Sequence, residues 1–205
     1  MKDGFIRVAA ATPDIHVADP QYNSEQIIEL MEQGSTRGVK VMAFPELCLT
    51  AYTCSDLFLQ ESLLREAKKE LKRILQASKS KDMILFVGMP WMHKGKLYNV
   101  AAVLNRGRIL GIVPKKHLPN YSEFYELRHF NPGMEKVEMT DWEGVQVPMG
   151  MNLLFACRTM PELVLAAELC EDVWVPCPPS ISHALAGATV IANCSASDET
   201  TGKDQ

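Results

Sequence analysis

Leu165-Ala166-Ala167-Glu168-Leu169-Cys170-Glu171-Asp172 turns from an apolar strand into an acidic loop within two residues, and the thiol of Cys170 stands at that crossing. A sharp turn at such a point can present a side chain at a sheet edge. Two earlier runs have the same form: Ala43-Phe44-Pro45-Glu46 ends in a carboxylate, and Gly111-Ile112-Val113-Pro114-Lys115 ends in an ammonium. Three strand exits bearing a thiol, a carboxylate and an ammonium suit nucleophilic attack on an amide carbonyl. A free thiol of pKa ~8.5 is mostly protonated at neutral pH and needs a base or a cation beside it. Taken singly, each residue has an ordinary reading. Cys170 reads first as a small buried hydrophobe, Glu46 as a capped loop residue, and the Lys115-Lys116 pair as a solvated turn.

Composition sets the frame for these three positions. A chain of 205 residues that is 47% hydrophobic and 22% charged is the size of one globular domain with a single core. A net charge of -4, without any block of Lys and Arg, argues against a nucleic-acid partner. No segment approaches the ~20 apolar residues of a membrane span, and the N-terminus lacks signal-peptide organisation, so a cytoplasmic protein is expected. Six cysteines without a Cys-x-x-Cys pair and five scattered histidines give no metal-ligand spacing, and reduced thiols are expected.

Hydrophobic periodicity supplies the scaffold. Residues 5–12 form an apolar run closed by Pro13 and are expected as a first, central strand. Asn23-Ser24-Glu25-Gln26 offers capping chemistry for a helix that Gly34 and Gly38 terminate. A strand over 39–44 precedes a strongly amphipathic helix over 61–78, with Leu63, Leu64, Ala67, Leu71, Ile74 and Leu75 inward and Glu66, Lys69, Glu70 and Arg73 outward. Residues 83–89 read as a third strand, and 97–104 with 108–113 as a hairpin about Asn105-Arg106-Gly107. Most of 115–150, rich in aromatic residues, Pro and Gly, is expected as loop. Strands over 152–158, 163–169 and 189–193 complete the pattern, with a short helix around 182–187.

In order and in type, Phe44-Pro45-Glu46-Leu47, Lys115-Lys116-His117-Leu118 and Leu169-Cys170-Glu171-Asp172 resemble the three motifs of the nitrilase superfamily. Its members use a Glu-Lys-Cys triad, each residue at the end of a different strand. Within the superfamily the chain is similar to the N-terminal glutaminase domains of glutamine-dependent NAD+ synthetases. That likeness rests on Leu49-Thr50-Ala51-Tyr52-Thr53-Cys54-Ser55-Asp56-Leu57-Phe58, on Leu118-Pro119-Asn120-Tyr121-Ser122-Glu123-Phe124-Tyr125-Glu126, and on Cys170-Glu171-Asp172-Val173-Trp174-Val175-Pro176 continued by Ala192-Asn193-Cys194-Ser195-Ala196-Ser197. The resemblance implies an α-β-β-α sandwich of two mixed sheets. It implies Glu46 as general base, Lys115 as oxyanion support and Cys170 as nucleophile toward glutamine. It further implies substrate-binding or site-shaping roles for Tyr52, Tyr121, Glu126, Glu171, Ser197 and Lys203. No metal or organic cofactor is required for such a half-reaction.

The resemblance also sets limits. The family's glutaminase domain continues beyond the Asn193 to Ser197 motif through further elements, so this chain is expected to lack the last elements of the sandwich. The sequence carries neither a Ser-Gly-Gly-x-Asp-Ser motif nor a Gly-rich phosphate loop, so the ATP-binding synthetase domain is expected to be missing from it, and NAD+ synthesis is expected to need a synthetase domain or subunit as partner. Self-association into a homo-oligomer through the helical face is expected. Two other readings stay open: a catalytically silent scaffold or partner-binding fragment, and an amidase of the same superfamily acting on another small amide.

Overall fold

The computed structural model describes residues 4–198 and 200–202. Among the described residues, ten strands form two mixed sheets. The larger contains β1 (Arg7–Ala10), β2 (Val39–Ala43), β3 (Ile84–His93), β4 (Lys96–Asn105), β5 (Arg108–Pro114), β6 (Glu138–Trp142) and β7 (Val145–Met149), in the order β1-β2-β3-β4-β5-β7-β6. The smaller contains β8 (Phe155–Ala156), β9 (Val164–Leu169) and β10 (Val190–Cys194), in the order β10-β9-β8. Helices α1 (Pro20–Thr36) and α2 (Glu61–Ser78) cover one face of the large sheet, where Ile27, Met31, Leu71 and Ile74 pack on Leu85, Val87, Val100 and Ala102.

Alternation along the strands creates the second interior layer, because successive side chains leave a strand on opposite faces. Phe86, Ala101 and Val103 of the large sheet meet Leu165, Ala167 and Leu169 of β9 and Ala192 of β10. Glu168, between two of those residues, points the other way and accepts a hydrogen bond from Ser180 N of the short helix α3 (Pro179–Leu185) at 3.0 Å. The layers therefore run helix, sheet, sheet, helix, as expected for the α-β-β-α sandwich.

Several local expectations are corrected. β1 is the outer strand of its sheet, paired among the described residues only with β2, and Val8 is exposed on it, so an apolar run was not enough to make it central. Helix α1 starts at Pro20, one turn before the expected cap: Asp19 accepts from Tyr22 N at 3.1 Å and Pro20 pre-sets the first helical turn. Asn23 is instead buried and ties the segment before the helix to Leu49 O at 3.2 Å. Glu70 is buried rather than outward, because Ser24 Oγ of α1 donates to it at 2.5 Å across the helix pair. Strands β3 and β4 run on to a tight hairpin at Lys94-Gly95, with φ of 48° and 73°, and residues 115–150 contain the hairpin β6–β7 turning at Glu143-Gly144, with φ of 49° and 83°. Both turns use the paired positive φ of a two-residue hairpin, a signal the flanking charge and aromatic content masked. The expected strand over 152–158 shrinks to Phe155–Ala156.

Candidate active site

Backbone close packing fixes the strand exits before any side chain acts. After β2, Phe44 N donates to Phe86 O at 2.9 Å and Leu49 N to Gly88 O at 3.1 Å, so the turn carrying Glu46 is strapped to β3. Gly88 lies so close beneath that turn that an added Cβ would sit 2.8 Å from the Glu46 carbonyl carbon and nearer still to Pro45 O and Leu47 N. After β5, Lys115 N donates to Asn99 O at 2.9 Å and Lys115 O accepts from Gly133 N at 2.7 Å. After β9, Cys170 has φ of +40°, a conformation that costs energy for a residue with a Cβ and that holds the thiol out of the strand line. The buried carboxylate of Asp172 accepts from Leu169 N at 3.1 Å, Lys116 N at 3.2 Å and His117 N at 2.7 Å, and so ties the cysteine turn to the lysine segment.

Inside this frame Glu46 and Lys115 are almost completely buried. Lys115 Nζ lies 2.6 Å from Glu46 Oε1 and 2.6 Å from Glu126 Oε1. Asn99 Nδ2 donates to Glu46 Oε1 at 2.7 Å, and the Tyr52 hydroxyl donates to Glu126 Oε1 at 2.8 Å. One ammonium between two carboxylates leaves a net negative charge in a dry site, which favours keeping a proton there. Desolvation accordingly raises the Glu46 carboxyl to about 7, with Glu126 adding and with Lys115 and Asn99 opposing. For Lys115 burial alone would lower the pKa, but the two carboxylates outweigh it and leave it raised, so it stays a cation.

Cys170 joins the same group through the segment after β10. Its thiol pKa is raised, first by desolvation and then by the charge of Glu46, against hydrogen bonds from the Ser195 hydroxyl and the Ala196 amide and the field of Lys115. Ala196 N also donates to Glu46 Oε2 at 3.3 Å. The site thus holds a thiol and a buried carboxyl whose pKa values are both raised by desolvation, the carboxyl to about 7.

The remaining expected residues are placed unevenly. Tyr52 and Glu126 lie within the buried network. Tyr121 and Glu171 pair with each other at 2.8 Å on the exposed side of the cysteine turn, where Phe124 packs edge-on to both Tyr52 and Tyr121. Ser197 is exposed and directly follows the Ala196 amide, while Lys203 lies outside the described residues. Asn99, Asp172, Ser195 and Gly88 went unrecognised as site residues in the sequence. Asn99 alone left a trace, as a carboxamide inside the apolar run of β4. Among the described residues no group of three His, Cys, Asp or Glu side chains could hold a metal ion, and no helix is long and apolar enough to cross a membrane.

A four-layer sandwich whose strand exits bring a carboxylate, an ammonium and a thiol together defines a cysteine amidohydrolase of the nitrilase type. The chain belongs to the carbon-nitrogen hydrolase family, whose sequence profile matches residues 7–205. It is 42% identical over 200 residues to the glutamine-dependent NAD(+) synthetase of Mycobacterium tuberculosis, covering 98% of this chain and 30% of that protein. With the synthetase of the same description from Aquifex aeolicus it shares 34% over 193 residues, 94% of this chain and 30% of the relative. The chain thus spans about a third of the length of the curated relatives it matches. Its structure is similar to that of a glutamine-dependent NAD(+) synthetase from Cytophaga hutchinsonii, with a TM-score of 0.86 and 27% identity over 97% of this chain and 32% of that one. An amidase from Nesterenkonia sp. shares the fold, with a TM-score of 0.71 at 19% identity over 96% of this chain and 66% of that one.

Proposed function

We infer that this chain hydrolyses glutamine to glutamate and ammonia, as the ammonia-supplying part of a glutamine-dependent NAD(+) synthetase. The observation that carries this reading is the convergence of Glu46, Lys115 and Cys170 from three strand exits, in a chain 42% identical to synthetases of that description. The resting thiol is protonated, so the first step is transfer of its proton to ionised Glu46 as sulfur attacks the amide carbon of glutamine. The carbonyl oxygen takes up negative charge, which Lys115 and a backbone amide beside Cys170 stabilise; removing one such donor in other enzymes costs about 3 to 4 kcal/mol. Protonated Glu46 then gives its proton to the departing nitrogen, and ammonia leaves a γ-glutamyl thioester on Cys170. Water attacks that thioester as Glu46 takes its proton, and the proton returns to sulfur when glutamate departs.

Nothing in these steps calls for a metal or an organic cofactor. ATP chemistry belongs to a synthetase domain or subunit, which is the partner expected to consume the ammonia. Tyr52, Tyr121, Glu171 and Ser197 are assigned to substrate binding, and homo-oligomer formation in the cytoplasm completes the reading. Incubation with glutamine should release ammonia, and Cys170→Ala should abolish it. Absence of Cys170-dependent ammonia, with a synthetase partner present, would overturn the proposal. Preference for another small amide in a substrate panel would reassign the substrate.

A further inference from the structure

Strand β4 offers one carboxamide in an apolar run. Asn99 is completely buried between Tyr98 and Val100, and a buried amide is costly unless its polar atoms are paired. Only half of this one is paired. Nδ2 donates to Glu46 Oε1 at 2.7 Å and reaches Glu126 Oε2 at 3.4 Å, whereas Oδ1 has no hydrogen-bond partner among the described residues. Its backbone serves the same group, since the Asn99 carbonyl accepts from Lys115 N. The side chain is therefore matched to the two carboxylates and not to its own hydrogen-bond balance.

The two oxygens of Glu46 are unlike. Oε1 takes both Lys115 Nζ and Asn99 Nδ2, while Oε2 accepts from the Ala196 amide at 3.3 Å. The same amide is among the groups that oppose the rise of the Cys170 thiol pKa, so it stands near the thiol as well as on Oε2. The last torsion of a glutamate is broad and nearly two-fold, so without restraint its oxygens exchange places.

We propose that Asn99 is a positioning residue that divides the labour of the Glu46 carboxylate: with Lys115 it pins Oε1, leaving Oε2 as the oxygen that takes the proton from Cys170 and returns it. In the transfer the S–H bond breaks and an O–H bond forms at Oε2, with the pair of donors on Oε1 unchanged. A donor to Oε1 also favours the ionised carboxylate, so Asn99 keeps the base available at neutral pH. The proposal rests on Glu46 acting as base for Cys170 and not on glutamine as the substrate.

The test uses Asn99→Leu, which removes both polar atoms, and Asn99→Asp, which keeps the shape but replaces the donor. Each is checked for wild-type circular dichroism. Alkylation of Cys170 by iodoacetamide, followed on its own peptide by mass spectrometry, reads the thiol's activation against pH without any substrate. Both variants should move the midpoint upward by about half a unit or more, Asn99→Asp further. In the ammonia assay kcat should fall by about ten-fold or more while KM changes by less than about two-fold. A folded variant with unchanged midpoint and kcat overturns the proposal. So does a raised KM at unchanged kcat, which would make Asn99 a substrate contact. If wild-type protein releases no ammonia from glutamine, the glutaminase reading fails while the alkylation profile still decides the role of Asn99.

Discussion

Gly88→Ala should disable the site through the backbone of Glu46 without touching any charged group. An added Cβ would stand 2.8 Å from the Glu46 carbonyl carbon, inside the 3.4 Å at which ordinary contact begins, and closer again to Pro45 O and Leu47 N. All three obstacles are main-chain atoms, so no side chain can swing aside. The Glu46 turn must retreat from β3 by about 1 Å, a misplacement that costs on the order of a hundred-fold in rate when it reaches reacting groups. The same retreat stretches the Leu49 N to Gly88 O bond of 3.1 Å and the contact of Glu46 Oε1 with Lys115 at 2.6 Å. Overpacking of this kind costs about 1 to 3 kcal/mol of stability, which leaves a folded protein to assay. Gly144→Ala is the control: its φ is +83°, but nothing lies within 4 Å of an added Cβ, so it strains a distant hairpin and moves no site residue. The assay is kcat for ammonia release, with thermal melting for both variants. A folded Gly88→Ala protein with kcat within about three-fold of wild type would refute the reasoning.

Other expectations follow from the buried charges. Glu46 must be ionised to act as base, and its carboxyl titrates near 7, so kcat/KM should rise as pH climbs through about 7. The same raised pKa has an opposite effect on stability: between 4.5 and about 7 the folded state holds a proton that the unfolded chain has released, so stability falls with rising pH in that window. Glu46→Gln should remove that slope in pH-dependent denaturation, together with activity. Lys115→Met leaves Glu46 and Glu126 buried without their cation and should destabilise by about 3 to 5 kcal/mol in urea melts, less below about pH 7 where Glu46 is protonated. Asp172→Ala frees the amides of Leu169, Lys116 and His117, of which the buried Leu169 donor alone costs about 1 to 3 kcal/mol, and should lower both melting temperature and kcat.

Local chemistry made much of this legible in the chain. Helix α2 was readable to its ends because its apolar face repeats without interruption from Leu63 to Leu75. The hairpin joining β4 to β5 was readable because Arg106-Gly107 sits between two apolar runs. Strand centrality was not, since β1 and β2 are both apolar but only β2 gains neighbours on both sides. The β6–β7 hairpin was hidden because Met139 and Val145 face solvent while Thr140 is buried, which blurs the alternation. Glu70 looked like an outward charge because the Ser24 hydroxyl that satisfies it is 46 residues away.

The site divides along the same line. Sequence by itself determined which groups stand at the strand exits, because the change from apolar run to Glu46, Lys115 or Cys170 is written in consecutive residues. Tertiary structure decided what those groups can do. Only folding sets Lys115 between Glu46 and Glu126 in a dry interior, gives the two oxygens of Glu46 different partners, and brings the Ala196 amide beside a thiol 26 residues earlier in the chain. The physical reason is that protonation and orientation follow from desolvation and through-space charge, and these depend on distances that the order of residues does not contain.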